Sequence, residues 1–419
     1  MNQAQRNVMD KSAFIRFPRA QVIAALLLSV AMPLAAQTAL PASAEVAAEV
    51  GYASAANGPY AVAGAPGAQQ NRGRVLVYSC SGQSCSGPEQ ITEAGLLAGA
   101  LYGSAVALSG QNLAVGAPGS AGGTVYLYVN NGSSWQLQQA ITPADPATGA
   151  AFGSSVDLQN DRVVVGAPGA SGRAGAVYVF ERSAGTWTQS ARLSASDAQA
   201  GDAMGASVAL SGDTVLAGAP TRSGSGAGSF AQGAGYVFVF NGSWAQQAQL
   251  IAQFAKNGAQ FGYAVDLDGD RALLGAPAAA ARSGGAYVFT RTAQTWTQQA
   301  QLSSPGSVPG DRFGWSLAID GDQLLVGAPY ALFGCGQVSA FARVGVSWNW
   351  QDSMLNAPTL GGLAGWSVAL SGTRSVVGVP GFDGAPSHQG VVYWRDSADA
   401  VFGGGFEADE QTLCVAPAG

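Results

Sequence analysis

The stretch FGSSVDLQNDRVVVGAP, residues 152–168, decides the fold of this chain. Residues 153–158 alternate polar and apolar side chains, as a half-buried β-strand does. A tight turn follows at residues 159–161, and residues 162–166 form a mostly β-branched run that is typical of a strand covered on both faces. Pro168 ends this run because proline cannot donate to a β-ladder. The stretch therefore predicts two strands joined by a turn.

Two further strands complete the unit. Residues 176–180 (AVYVF) form a third apolar run, and residues 187–193 alternate again. The tryptophan that begins this fourth strand recurs, each time six residues before an apolar residue, at Trp135, Trp187, Trp244, Trp296 and Trp348. Four strands in about fifty residues correspond to one blade of a β-propeller.

The unit recurs seven times. Its Gly-x-Pro end has the prolines Pro66, Pro118, Pro168, Pro220, Pro277, Pro329 and Pro380. A glycine lies fifteen residues before each proline, at Gly51, Gly103, Gly153, Gly205, Gly262, Gly314 and Gly365. One blade has two bare apolar faces, which stacking around an axis would bury. We predict an all-β chain, a seven-bladed β-propeller of four-stranded antiparallel blades; a β-solenoid is the main alternative, but its rungs are shorter and it needs no fixed copy number.

The paired Phe-Gly and Gly-Ala-Pro signatures resemble the FG-GAP repeat of integrin α-subunit propellers and of many exported bacterial proteins. The resemblance covers roughly residues 37–396, and both halves of the signature recur at fixed spacing. Kelch and WD-type propellers lack this pairing. The resemblance implies a propeller that recognises a ligand, although a fold does not establish a function.

Residues 1–36 are predicted to be a signal peptide. Four basic residues precede the apolar stretch from Val22 to Met32, which is too short to span a bilayer comfortably. Small-residue cleavage sites end at Ala36 and Ala44. The alternative is a retained membrane anchor. Cleavage predicts a secreted, periplasmic or cell-surface protein with no remaining membrane span.

The charge of the chain argues against nucleic-acid and anionic-membrane partners. Removing residues 1–36 takes away four bases and one acid, so the net charge changes from −6 to −9. Lys256 is then the only lysine. A surface of this sign repels phosphate backbones.

The four cysteines suggest disulfides rather than a metal site. Cys80 and Cys85 bracket a short loop that a disulfide could close, and Cys335 and Cys414 are a second possible pair. Zinc is disfavoured because His388 is the only histidine and the cysteine spacing is unsuitable.

Both ends of the chain leave questions open. The seventh copy lacks a fourth strand of its own, whereas residues 37–43 resemble residues 189–196. We therefore predict that residues 37–43 complete the last blade; the alternative is that they are leftover signal sequence. Residues 397–419 form a C-terminal tail with a Phe-x-x-Gly-Phe-Glu pattern, either a loosely packed tail or a sorting signal.

Cofactors are not expected. Integrin-type repeats often bind calcium through Asp-rich loops in the first hairpin. Here only two of those turns carry two acids, Asp268 with Asp270 and Asp320 with Asp322. Ordinary hairpin chemistry explains such turns, so calcium stays possible but is not predicted.

The sequence also predicts no catalytic residues. A Ser-His-Asp triad would have to use His388, a lone histidine in a polar loop. Paired-carboxylate hydrolysis could draw on acids in the loops that lead into the blades, namely Asp145, Asp197, Asp202 and Asp311. Solvation of exposed loops is the simpler explanation of these acids.

The spacing of 57 residues between Pro220 and Pro277 marks an expanded loop, Thr221 to Ala234. A long loop on a rigid scaffold is a common place for binding. Arg222 and Phe230 are therefore the predicted contact residues, with a neutral insertion as the alternative. The favoured function is non-enzymatic: an exported, adhesion-type propeller that binds protein or glycan through its loop face. A hydrolase acting on an extracellular polymer and a structural envelope component are the alternatives, and the oligomeric state is left open.

Overall fold

Seven four-stranded antiparallel sheets stand around a common axis in the computed structural model. The structure describes residues 38–40, 48–224, 230–253, 256–354, 361–381 and 389–396. Each sheet is one blade, and its strands run in order from the axis to the rim. The predicted seven-bladed propeller is confirmed.

The strand that comes first along the chain, β1 (Thr38–Leu40), belongs to the last blade. Blade 1 consists of β2 (Ala53–Asn57), β3 (Tyr60–Ala65), β4 (Arg74–Ser81) and β5 (Ser84–Ile91). Blade 2 consists of β6 (Ala105–Ser109), β7 (Asn112–Ala117), β8 (Thr124–Asn130) and β9 (Trp135–Ile141). Blade 3 consists of β10 (Ser155–Gln159), β11 (Arg162–Ala167), β12 (Ala176–Ser183) and β13 (Thr186–Leu193).

Blade 4 consists of β14 (Ser207–Ser211), β15 (Thr214–Ala219), β16 (Ala234–Phe240) and β17 (Trp244–Leu250). Blade 5 consists of β18 (Val265–Asp268), β19 (Arg271–Gly275), β20 (Ala286–Thr292) and β21 (Thr295–Leu302). Blade 6 consists of β22 (Ser316–Asp320), β23 (Gln323–Ala328), β24 (Gln337–Val344) and β25 (Ser347–Met354). Blade 7 consists of β26 (Ser367–Ser371), β27 (Arg374–Val379), β28 (Val391–Asp396) and β1.

Four short helical turns, which the sequence did not predict, lie between the second and third strands of blades 1, 3, 5 and 6. They are α1 (Ala68–Asn71), α2 (Ala170–Arg173), α3 (Ala279–Arg282) and α4 (Ala331–Gly334). Each contains three consecutive residues with positive φ. These elements are therefore tight loops rather than regular helices.

The hydrophobic core is divided into seven clusters, one at each interface between neighbouring blades. The β-branched run in β11 shows how one strand contributes side chains to two clusters. Val163 and Val165 lie in the core between blades 2 and 3, whereas Val164 lies in the core between blades 3 and 4. Both faces of the blade are thus buried only because a neighbour stands on each side.

The repeated glycines are the points where neighbouring backbones meet. Gly166, at the end of β11, faces the backbone carbonyl of Gly205 in blade 4, and a Cβ atom at position 166 would overlap that oxygen. The same contact recurs at all seven interfaces, including that of Gly378 in blade 7 with Gly51 in blade 1. The glycine of the Gly-x-Pro signature in one blade therefore packs against the first repeat glycine of the next blade. Because this contact also joins blade 7 to blade 1, the ring is closed.

Strand β1 closes the last blade. Thr38, Ala39 and Leu40 pair with residues 394, 393 and 392 of β28, and Leu40 is 2% exposed. The prediction that this segment completes blade 7 is confirmed for residues 38–40, while residues 37 and 41–43 lie outside the described residues.

The tip of the β4–β5 hairpin in blade 1 contacts both β1 and β28. Cys80 and Cys85 form a disulfide across β4 and β5. Within the loop it closes, the Gly82 carbonyl accepts a hydrogen bond from the Trp394 indole at 2.9 Å, and the Gln83 carbonyl accepts one from the Thr38 hydroxyl at 2.9 Å. Blade 1 therefore contacts the first and the last strand of the chain.

At the rim, a tryptophan of one blade donates to a glutamine of the blade before it. Trp187 Nε1 lies 2.8 Å from Gln138 Oε1, and the pairs Trp296 with Gln247 and Trp348 with Gln299 repeat this contact. The indole N–H of Trp244 is the exception: it is buried and has no hydrogen-bond partner in the described part of the chain. The equivalent acceptor position holds Ser190, whose side chain is shorter.

The substitution Ser190→Gln is expected to stabilise the protein by about 1 kcal/mol, because it supplies an acceptor to a buried donor that has none. Urea unfolding of the variant and of the unsubstituted protein measures the difference. The reverse change, Gln138→Ser, is the matched control and should cost a similar amount. An unchanged unfolding midpoint for Ser190→Gln would contradict this account of the rim.

Candidate functional site

The central channel opens into a cavity of about 290 Å³ at one end of the ring. Every blade contributes the residues that follow its repeat glycine: 52–54, 104–106, 154–156, 206–208, 263–265, 315–317 and 366–368. This end also carries the inter-blade loops and the loops between second and third strands, and we call it the loop face. The opposite end is the hairpin face.

Four aromatic side chains line one half of the channel mouth, and we call them the aromatic arc: Tyr263, Trp315, Trp366 and Tyr52. Consecutive ring centroids lie 4.7, 4.8 and 5.6 Å apart, with interplanar angles of 42°, 51° and 46°. Blades 2, 3 and 4 place Ser104, Ser154 and Ala206 at the equivalent positions. The mouth is therefore aromatic on one side and open on the other.

The arc continues outward over blade 6. The ring of Tyr330 lies 5.7 Å from that of Trp315, and the guanidinium of Arg312 lies 5.4 Å from Trp315 and 4.6 Å from Tyr330. Directly after Tyr330, the tip of α4 exposes Leu332 and Phe333, the latter at 82%. The loop face therefore carries exposed aromatic and apolar side chains beside the channel mouth, and such groups on soluble proteins commonly mark binding sites.

One hydroxyl in the cavity wall lacks a partner. Ser54 Oγ is buried and has no hydrogen bond to any described residue. The other six blades place valine or leucine at this position. An unpaired buried hydroxyl costs about 1–3 kcal/mol. The equivalent valines and leucine pack in the cores between blades, so this hydroxyl belongs to a blade interface rather than to the accessible surface of the mouth.

The aromatic arc also has unusual electrostatics. Burial, with a smaller contribution from the Tyr52 and Tyr330 hydroxyls, raises the pKa of Tyr263 well above its usual value, while Arg312 acts in the opposite direction. These groups from blades 1, 5 and 6 are therefore close enough to influence one another.

Two partly buried carboxylates, Asp157 and Asp266, lie on the innermost strands where the other five blades have alanine. Burial raises the pKa of Asp157 to about 6 and that of Asp266 to about 7. Asp157 accepts hydrogen bonds from the amides of Leu158 and Leu210, both at 2.7 Å. Asp266 makes the equivalent bonds to blades 5 and 6. Both oxygens of each carboxylate are thus occupied, so they link neighbouring blades.

A larger cavity, about 390 Å³, lies on the hairpin face between blades 3 and 4. Its charged groups already neutralise each other: Arg162 pairs with Glu181 and Asp213, and Arg182 pairs with Asp161. A ligand there would have to displace these ion pairs. The channel mouth is the better candidate despite its smaller volume, because its aromatic side chains are partly exposed and no ion pair occupies it.

The acids considered for calcium have other partners. Asp268 and Asp320 accept hydrogen bonds from the turn amides of the next blade, at Gly321 (3.1 Å) and Gly372 (2.6 Å). Asp270 pairs with Arg291, and Asp322 pairs with Arg343, whose hydrogen bond lowers the pKa of the Asp322 carboxyl. Among the described residues, no group of three or more potential metal ligands occurs.

The acids of the loop face are committed to the loops themselves. Asp145 pairs with Arg192. Asp202 and Asp311 accept hydrogen bonds from backbone amides three residues earlier, at 2.8 and 2.7 Å. These contacts order the inter-blade loops, and they do not assemble a pair of free carboxylates.

The two predicted contact residues lie on the loop face, as the strand order requires. The guanidinium of Arg222 is held by Asp197 at 2.8 Å and by the Tyr236 hydroxyl at 3.0 Å, which leaves little of it free. Phe230 is 60% exposed and packs its ring edge near Gly258 of the next inter-blade loop. Their role in ligand binding stays a prediction.

Some sequence-based predictions fall outside the described residues. These are the signal peptide, His388 and the C-terminal tail. Cys335 is disulfide-bonded, but Cys414, its predicted partner, is not among the described residues.

The aromatic arc was not predicted from the sequence, although the residue after each repeat glycine contains a clue to it. The residues that follow the seven glycines, in chain order, are Tyr52, Ser104, Ser154, Ala206, Tyr263, Trp315 and Trp366. The aromatic ones fall in blades 5, 6, 7 and 1, which are neighbours only in a closed ring.

A closed ring of seven four-stranded blades with a ligand-sized mouth defines the chain as a β-propeller. Four segments, residues 135–180, 187–238, 244–289 and 296–341, match the FG-GAP repeat family model. The chain is an FG-GAP repeat propeller.

Solved structures also match the chain, at low sequence identity. The crystal structure of Sqt1 from Saccharomyces cerevisiae is 10% identical in sequence and has a TM-score of 0.49, with 87% of this chain and 86% of that chain covered. Similarity at this level carries no inference about function. The chain matches no curated protein. Within the described ranges, no helix combines the length and apolarity needed to cross a bilayer.

Proposed function

We propose that this protein is a non-enzymatic binding propeller, exported from the cell, that recognises a protein or glycan through its loop face. The observation that carries the proposal is the aromatic arc: four adjacent aromatic side chains, partly accessible, around an otherwise small-residue channel mouth. Aromatic anchors of this kind dominate the energetics of many binding sites. Export is proposed from the signal-peptide pattern of residues 1–36.

The arrangement of acids favours binding over hydrolysis. A glycoside hydrolase needs two carboxyl groups facing one substrate bond. The carboxylates of Asp157 and Asp266 instead accept backbone amides from their own blade and from the next one, and the acids of the loop face are paired or cap their own loops. An adhesion-type role fits a site built from aromatic faces and a few hydrogen-bonding groups.

The test is binding of the purified protein to a panel of immobilised polysaccharides and extracellular proteins. We expect the double variant Trp315→Ala/Trp366→Ala to bind its ligand at least about 30-fold more weakly, the loss that truncating two interface anchors typically causes. The control is Trp350→Ala, which truncates a 42% exposed tryptophan in β25, outside the mouth. It should bind as the unsubstituted protein does.

Two results would contradict the proposal. One is equal ligand binding by the arc variant and the control, since the mouth would then not be the site. The other is release of new reducing ends from a bound polysaccharide, which would make the protein a hydrolase.

A further inference from the structure

Several arginines of the loop face form no ion pair with a described residue, although the chain as a whole is negative. Arg72, Arg173 and Arg282 are exposed at the tips of loops between second and third strands, and none forms an ion pair with a described residue. The neighbouring acids are occupied, as described above. On the hairpin face, by contrast, the described arginines are paired with acids: Arg162, Arg182, Arg271, Arg291, Arg343 and Arg374.

Arg312 is the cation nearest to the channel mouth. Its guanidinium stacks over Trp315 and Tyr330 and forms no ion pair within the described ranges. Stacking leaves the N–H groups at the edge of the guanidinium plane available, and these match a carboxylate in a bidentate arrangement. A ligand lying on Trp315 would therefore meet a carboxylate-binding group at the edge of the aromatic arc.

The size of the mouth limits what can enter. A cavity of about 290 Å³ is at the lower end of small-ligand sites, so it holds one ring-sized group rather than a helix or strand. A pyranose ring has an apolar C–H face that can lie on an aromatic side chain of the arc. An acidic peptide offers carboxylates but no comparable ring for the arc.

We propose that the ligand is an acidic polysaccharide, with one uronic-acid ring on the aromatic arc and its carboxylate bonded to Arg312. This inference rests on the proposed function and names its ligand class. Net repulsion by the rest of the chain is screened beyond about 8 Å at physiological ionic strength, whereas the short-range contact with Arg312 is weakened much less.

The test compares polygalacturonate with its methyl-esterified form, which keeps the ring and removes the charge. Poly-glutamate supplies charge without the ring, and alginate is a second uronate polymer. Affinities are measured by calorimetry or interferometry. We expect the acid form of polygalacturonate to bind at least about tenfold more tightly than the ester, the effect of one charge-assisted contact.

Arg312→Gln should remove this difference between acid and ester. The fold already accepts glutamine in the equivalent place, since Gln260 has φ +58° where Arg312 has φ +59°. Trp315→Ala should weaken binding of both forms. Arg343→Gln, on the hairpin face, is the control and should leave the acid-to-ester ratio unchanged.

The inference is overturned if the ester binds as tightly as the acid, if Arg312→Gln leaves the ratio unchanged, or if poly-glutamate binds as tightly as polygalacturonate. It is also overturned if neither uronate polymer binds. In each of these cases the proposed function is still supported if another polysaccharide or protein of the panel binds the unsubstituted protein and binds the Trp315→Ala/Trp366→Ala variant more weakly. Circular dichroism and the melting temperature verify that each variant is folded.

Discussion

The substitution Gly166→Ala is expected to destabilise the protein by about 4 kcal/mol, which is exceptional for the addition of one methyl group. The added Cβ would overlap the carbonyl oxygen of Gly205 in the next blade. Both partners are backbone groups, so no rotamer change can relieve the overlap, and blades 3 and 4 would have to separate. Urea or thermal unfolding of the purified variant measures the loss.

Gly110→Ala is the matched control. Gly110 lies in a hairpin turn with φ +57° and has no atom near the position of an added Cβ. This change should cost only about 1 kcal/mol, the usual penalty of a left-handed backbone for a residue with a side chain. Equal costs at the two positions would mean that contact between blades does not explain the repeat signature.

Removal of β1 is expected to have an effect of similar size. A chain that begins at Glu45 should be less stable than one that begins at Gln37 by on the order of 4 kcal/mol. It loses the burial of Leu40 and the ladder to β28, and it exposes the outer edge of blade 7. Thermal unfolding compares the two chains, and hydrogen exchange at β28 should increase in the shorter one.

A point substitution tests the contribution of β1 without shortening the chain. Leu40→Ala should cost about as much as Leu193→Ala, because Leu193 occupies the equivalent place in blade 3 and both residues are almost fully buried. Equal stability of the two truncated chains would show that three strands suffice for blade 7. N-terminal sequencing of the exported protein then identifies the natural start, and a start at Glu45 would exclude β1 from the mature molecule.

Much of the fold could be predicted because its information is local and repeated. The alternation in residues 153–158 and the β-branched run after it each specify a strand within a few residues. Seven copies at nearly constant spacing then require seven similar sheets. Even the closure by residues 38–40 was predictable, since that segment resembles the fourth strand of blade 3.

The candidate site was not predictable in the same way. The expanded loop predicted Arg222 and Phe230 as contact residues. The arc instead consists of ordinary aromatic residues at one repeat position. The acids singled out for calcium or catalysis are held by arginines or by backbone amides. Some of these partners lie in the same blade or loop and others in the next blade, and only the folded structure identifies them.

The sequence by itself determined the number of blades, the order of strands within them and the glycines at which they meet. Each of these follows from short-range patterns that every copy repeats. The tertiary structure alone decided which residues work together. Tyr52 and Trp366 come from opposite ends of the repeat array and lie 5.6 Å apart because the ring closes. Whether an arginine is paired, as Arg343 is, or stacked and free to bind, as Arg312 is, depends on neighbours within its own repeat that only the folded blade brings together.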